Sequence, residues 1–131
     1  MKTKLNRILT EISAGELVDK ITILEIKKEK IKNLEKLTEI EKELSSLNHT
    51  YKKFIPNPDG ISELVEKLKI INLKLWDIED GKRNSEKNNN FGSKFVELAR
   101  NVYKYNDQRA EIKLKINKSL GSNIREVKSY N

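Results

Sequence analysis

From Phe91 or Phe95 to Leu120 an apolar side chain returns every three or four positions, through Leu98, Val102, Tyr105, Ile112 and Ile116. That spacing matches the 3.6-residue turn of an α-helix and puts the whole series on one face. A stripe this long cannot stay in water, so the rest of the chain must supply a matching surface. Three further stripes do so. Ile61, Leu64, Val65, Leu68, Ile71, Leu75 and Ile78 form one; Leu17, Ile21, Leu24 and Ile31, interrupted by Lys28, form another; Ile40, Leu44, Leu47 and Tyr51 form the last. Val18, Ile23 and Ile26 widen the second of these, which predicts a helix contacted from two sides and makes a homodimer an expectation. No segment alternates as a strand does. The pattern predicts an all-α, antiparallel bundle of three to four helices packed at shallow angles, with a short N-terminal arm and a C-terminal tail. At 131 residues, one domain over 1–131 is expected.

Local signals place the boundaries. Ser13-Ala14-Gly15-Glu16 reads as a capping box, the Ser hydroxyl taking the Glu16 amide while the Glu side chain reaches back to the Ser13 N–H. Thr38-Glu39-Ile40-Glu41 reads as a second box and predicts a break near Asn33–Thr38. Pro56-Asn57-Pro58-Asp59-Gly60 is a turn. Gly81 is expected near the end of the third helix, with a polar loop over 81–90, and Gly121 is the natural stop of the fourth. Ile8–Ile12 reads as an extended arm or loose turn.

Composition removes several chemistries. The chain has no Cys and one His, His49, which excludes disulfide scaffolds, thiolate sites and multi-His zinc centres. Ser13 reads as a cap rather than a nucleophile, because no His lies in a plausible triad arrangement with it. No apolar run approaches the ~18 residues of a membrane span, and Met1–Thr10 lacks the apolar core of a signal peptide, so a cytoplasmic protein is expected. Lys and Arg total 27 against 20 Asp and Glu, a net charge of +7, of which Phe91–Asn131 supplies +5. Such an excess suits anionic partners. Elsewhere Lys alternates with Glu as on a solvated helix face, and aromatics at 6% are too few for a base-stacking platform. Nucleic acid is therefore the third reading, through the basic C-terminal third.

Arg109 breaks the pattern most sharply, because it occupies a position where the last stripe calls for a hydrophobe. A guanidinium there must snorkel, pair with a carboxylate or hold an anion. Tyr103, Asn106, Ala110, Lys113 and Asn117 share one flank of that helix, with Arg100 and Asp107 nearby. The third helix offers Trp76, Asp77, Glu79 and Asp80, and the expected partner of Arg109 is one of these acids. Glu16, Asp19 and Lys20 on the first helix complete the set. Asp77 and Asp80 share a face and would be the ligands if Mg²⁺ were bound; no cofactor is otherwise expected.

The strings Gly15-Glu16-Leu17-Val18-Asp19-Lys20-Ile21-Thr22-Ile23-Leu24-Glu25-Ile26-Lys27, Leu75-Trp76-Asp77-Ile78-Glu79-Asp80, Phe95-Val96-Glu97-Leu98-Ala99-Arg100, Asn106-Asp107-Gln108-Arg109-Ala110 and Glu126-Val127-Lys128-Ser129-Tyr130 carry a resemblance. Together they are similar to a small helical family of bacteria and phages classed as a domain of unknown function. The resemblance implies no activity. It does imply that the polar strip is a family feature and that the Lys-Ser-Tyr tail docks, while the basic Lys2–Arg7 departs from the family's apolar lead-in. The leading expectation is a binding or adaptor module whose polar strip recognises a protein partner or small anionic ligand. An Mg-dependent enzyme acting on a phosphorylated or nucleotide-sugar substrate is the alternative.

Overall fold

The structure is a computed structural model and describes residues 3–128. It is an all-helical bundle: α1 (Ala14–Lys30), α2 (Leu34–Phe54), α3 (Ser62–Lys87) and α4 (Ser93–Leu120), with a single 3₁₀ turn over Pro58–Ile61. Residues 3–13 form an irregular, largely exposed arm and residues 122–128 an irregular tail. Among the described residues no helix is long and apolar enough to cross a membrane.

α1 and α2 make one antiparallel hairpin, closed by Leu24, Ile40 and Leu44 with Ile21, Ile31 and Leu47 around them. α3 and α4 make the other. The larger core lies where the N-terminal half of α1 packs onto that second hairpin, and it consists of Val18, Ile61, Leu68, Ile71, Ile112 and Ile116. Both flanks of α1 are therefore covered within one chain, so its wide apolar face gives no reason to expect a dimer.

The break between α1 and α2 is present, but Asn33 caps the second helix, its side chain accepting from the Lys36 amide. The proposed box at Thr38 is not a start: Thr38 lies one turn inside α2 and its hydroxyl donates to the Leu34 carbonyl. Asn is at least as good an N-cap as Thr, so Asn33 is a competent start. α3 also overruns the expected end at Gly81 and continues to Lys87. A Cβ on Gly81 would meet Leu98 at 3.1 Å, so the glycine lets α4 approach rather than ending α3. The turn comes at Asn88-Asn89-Asn90 instead, where Asn89 takes a positive φ of 52°, which Asn tolerates better than most residues. Gly121 does stop α4, in the left-handed conformation at φ 64°.

Candidate functional site

The site grows out of the first turn of α1. Ser13 caps it as expected, accepting from the Glu16 amide at 3.1 Å. Gly15 then allows close contact with α4: its amide donates to Asn117 Oδ1 at 2.6 Å, and a Cβ there would fall 2.5 Å from the Lys113 carbonyl oxygen. With the backbones this near, the next inward-facing position of α1, Asp19, comes to lie fully buried against Arg109.

Asp19 is the centre of the arrangement. Arg109 donates to it twice, from Nε to Oδ1 at 2.9 Å and from Nη2 to Oδ2. Asn72 of α3 donates to Oδ1 at 2.9 Å and also to the Thr22 hydroxyl, which itself donates to the Asp19 carbonyl at 2.8 Å. A buried carboxylate costs several kcal/mol in lost hydration unless opposite charge and hydrogen bonds replace the water. Here both are present, and the three helices α1, α3 and α4 each contribute.

One turn further along α4 lies Lys113, whose side chain is only 9% exposed. Its ammonium donates to Glu16 Oε2 at 2.6 Å and to Glu126 Oε2, from the tail, at 2.8 Å, with Asp19 Oδ2 at 3.9 Å. Burial pushes the Lys113 ammonium down, but its bonds to Glu126 and Glu16 and the charge of Asp19 outweigh that and raise it above the ordinary lysine range. The hydrogen bond to Asp19 likewise raises Arg109 against the opposing effect of burial. Among the described residues no buried side-chain nitrogen or oxygen lacks a partner.

These contacts correct the expected pairing. Arg109 does sit in the seam of the bundle, but its carboxylate comes from α1 rather than from the tryptophan-bearing segment of α3. Asp77, Glu79 and Asp80 are exposed, and Glu79 pairs with Lys82. Trp76 is half-buried, while Arg100 and Tyr103 are exposed and join none of the network's bonds. The reason is the Gly15 contact, which brings α1, not the far half of α3, against Arg109. Glu16 departs from its expected role too, since its carboxylate serves Lys113 and Lys20, the latter at 3.7 Å, instead of closing the capping box. Asn106 accepts a long bond from Arg109 at 3.4 Å, and Asp107 pairs with Lys128 at 3.5 Å. Among the described residues no group of three or more Asp, Glu or His is placed to hold a metal ion.

Asn117, expected on the polar flank of the last helix, does join the site, whereas sequence reasoning missed Asn72, Thr22, Ser122 and Glu126 as members of it; of these, Asn72 and Thr22 could have been found. These two carried the same signal as Arg109, a polar residue inside an apolar run, in Ile70-Ile71-Asn72-Leu73 and Ile21-Thr22-Ile23. The tail does dock as far as it is described, through Glu126, Lys128 and Ser122, whose hydroxyl accepts from the Ala14 amide at 3.0 Å. The Ser129-Tyr130 end of the expected docking motif lies outside the described residues. Between α4 and this tail is a small hollow of about 120 Å³, walled by Ala110, Lys113, Asn117, Glu126 and Lys128 among others.

No curated protein and no solved structure matches the chain. One family model does, over residues 8–131, which takes in all four helices, the polar network and the described tail. The chain belongs to the family of unknown function DUF6165.

Proposed function

We propose that this chain is a non-catalytic binding module that recognises a carboxylate or phosphate group, carried by a small ligand or a partner, at the seam between α4 and the C-terminal tail. One observation carries the reading. The buried Lys113 ammonium forms part of the wall of the 120 Å³ hollow, and its outward counter-ion, Glu126, belongs to an irregular segment and is 58% exposed. Glu16 and Asp19 are fixed on a helix, whereas Glu126 can swing aside with the tail and leave its place to an external anion. The Asp19 cluster then plays a supporting part, holding α1 against α4 so that Lys113 and the exposed edge of Arg109 are set before any ligand arrives. Two of the five guanidinium N–H groups remain after the bonds to Asp19 and Asn106. Preorganised donors of this kind bind without the cost of ordering side chains.

The test is a thermal-shift titration of the full chain with inorganic phosphate, dicarboxylates, nucleotides and sugar nucleotides, beside the Glu126→Gln variant. A ligand at a hundredfold excess over its Kd adds about 2.7 kcal/mol of stability, a shift of several degrees. A saturable rise in Tm that is reached at lower anion concentration in Glu126→Gln supports the reading. Absence of any saturable shift in both proteins ends it.

A further inference from the structure

The tail after Gly121 divides into two parts that are held in different ways. Its root is fastened by short hydrogen bonds. The Ser122 amide donates to the Asn117 carbonyl at 2.8 Å, and the Ser122 hydroxyl accepts from the Ala14 amide at 3.0 Å and donates to the Ile124 carbonyl at 2.7 Å. Asn123 donates to Glu11 of the arm at 2.7 Å. Further on, the holds are ion pairs to α4: Glu126 with Lys113 at 2.8 Å and Lys128 with Asp107 at 3.5 Å.

Those two pairs match α4 in spacing and in order. Val127, between them, is 90% exposed, so the side chains alternate toward and away from the helix as in an extended segment. Such a segment carries residues 126 and 128 about 7 Å apart, while Lys113 and Asp107 are about 9 Å apart along the α4 axis, a gap that long side chains close. The tail runs antiparallel to α4, so its acid meets the lysine and its lysine meets the acid. The two pairs also differ in strength. Lys113 is 9% exposed, which shields the inner pair, whereas Lys128 and Asp107 are 41% and 38% exposed, so the outer pair is weak and screened by salt.

We propose that the tail is a hinged strap. Its root stays fastened to α1 and the arm, while residues 125–128 lift from α4 as one piece, turning at Arg125, the first residue past the root, and uncover Lys113. The outer pair holds the strap shut over the inner one, so Asp107 sets how readily the site opens. Glu11 and Ala14 keep the root in place, so that the strap closes again on the same seat. Its use as a gate rests on the anion-binding reading above; its motion is measurable without any ligand.

The chain has no Cys, so Val127→Cys carries a single nitroxide at an exposed position. Electron paramagnetic resonance of the labelled full chain, at fixed ionic strength, reads the strap directly. A restrained spectrum is expected. Asp107→Asn and Glu126→Gln should each add a mobile component, and inorganic phosphate or succinate should add the same component saturably. Asp107→Asn should also raise the apparent anion affinity, by up to about fivefold. The Ala14 amide, bonded to the root, should exchange with solvent as slowly in both variants as in the parent. A label mobile from the start, a label indifferent to both substitutions, or an Ala14 amide that loses its protection with them overturns the strap. A saturable rise in Tm with phosphate while the label stays restrained also overturns it, and leaves the binding reading standing. Release of the label by both substitutions, with no anion raising Tm in any of the proteins, supports the strap and ends the binding reading instead.

Discussion

At the scale of single residues, the pair Asp19–Arg109 sets what this protein tolerates. Removing one member of a buried ion pair strands the other, which typically costs about 3–5 kcal/mol, a large part of the ~5–15 kcal/mol that holds a domain together. Arg109→Met and Asp19→Leu are each expected to fall in that range in urea denaturation. The double variant is expected to cost less than the two summed, because neither charge is then left unpaired; strict additivity would show that the pair is not coupled. Lys113 gives a pH dependence whose sign follows from its environment. Its folded-state value is raised, so its contribution is present in full below the ordinary lysine pKa of about 10.4 and is lost as pH climbs through the raised value. Tyr51, raised by burial and then by the charge of Asp59, acts in the same direction near the same pH. Denaturation midpoints should therefore hold level through neutral pH and fall above about pH 10, with a shallower fall in Lys113→Met; an equal fall in that variant would remove Lys113 from the account. Arg109 was legible in the sequence because it interrupts a stripe. Its partner was not, since periodicity tells which face of a helix turns inward but not which neighbouring helix meets it.

At the scale of elements, two helical glycines separate close approach from mere permissiveness. Gly15→Ala would push a methyl to 3.0 Å from Asn117 Oδ1 and to 2.5 Å from a backbone oxygen, that of Lys113, and the backbone oxygen cannot yield without parting α1 from α4. A loss of about 1–3 kcal/mol is expected, together with the Gly15–Asn117 bond. Gly81→Ala meets instead a methyl of Leu98 at 3.1 Å, the end of a side chain that can turn. Alanine's helix propensity, up to about 1 kcal/mol better than glycine's, then leaves the variant neutral to slightly stabilised. Thermal melts of the two variants decide the matter, and equal losses would refute the distinction. The same comparison explains what sequence reading can deliver for elements. Stripes, the proline turn and Gly121 made a bundle of three to four helices legible, because each is a local signal, and four are present. Gly81 and Thr38 misled because a glycine that stops a helix and one that admits a neighbour look alike, as do a capping threonine and one inside a turn.

For the whole molecule, the two hairpins are unequally bound. α3, α4 and the first half of α1 share the larger core, in which Ile61, Leu68 and Ile116 are wholly inaccessible, and the Asp19 network ties the same three helices. α2 packs chiefly on α1, through a cluster whose buried members are only Leu24, Ile40 and Leu44, with Tyr51 reaching the main core from its last turns. Its ion pair to α1, Lys28–Glu41, spans 3.7 Å between two half-exposed side chains and adds little. Free energy of opening scales with the apolar surface and hydrogen bonds that a segment alone would expose, so the stretch from Leu34 to Asn48 should open without unfolding the rest. Native-state hydrogen exchange is then expected to show amides of this stretch protected at least about tenfold less than those of α4 around Ile112–Ile116, a difference of about 1.4 kcal/mol or more. Leu44→Ala should widen that gap, whereas Ile116→Ala, at the fully buried heart of the larger core, should lower protection everywhere together. Uniform protection across α2 and α4, falling in parallel in both variants, would mean that the bundle opens only as one unit. The division has a consequence for binding as well. The arm, the tail and the end of α2 all meet at the tightly held end of α1, so a partner docking there meets a rigid platform, while the looser half of the α1–α2 hairpin is free to move without disturbing it.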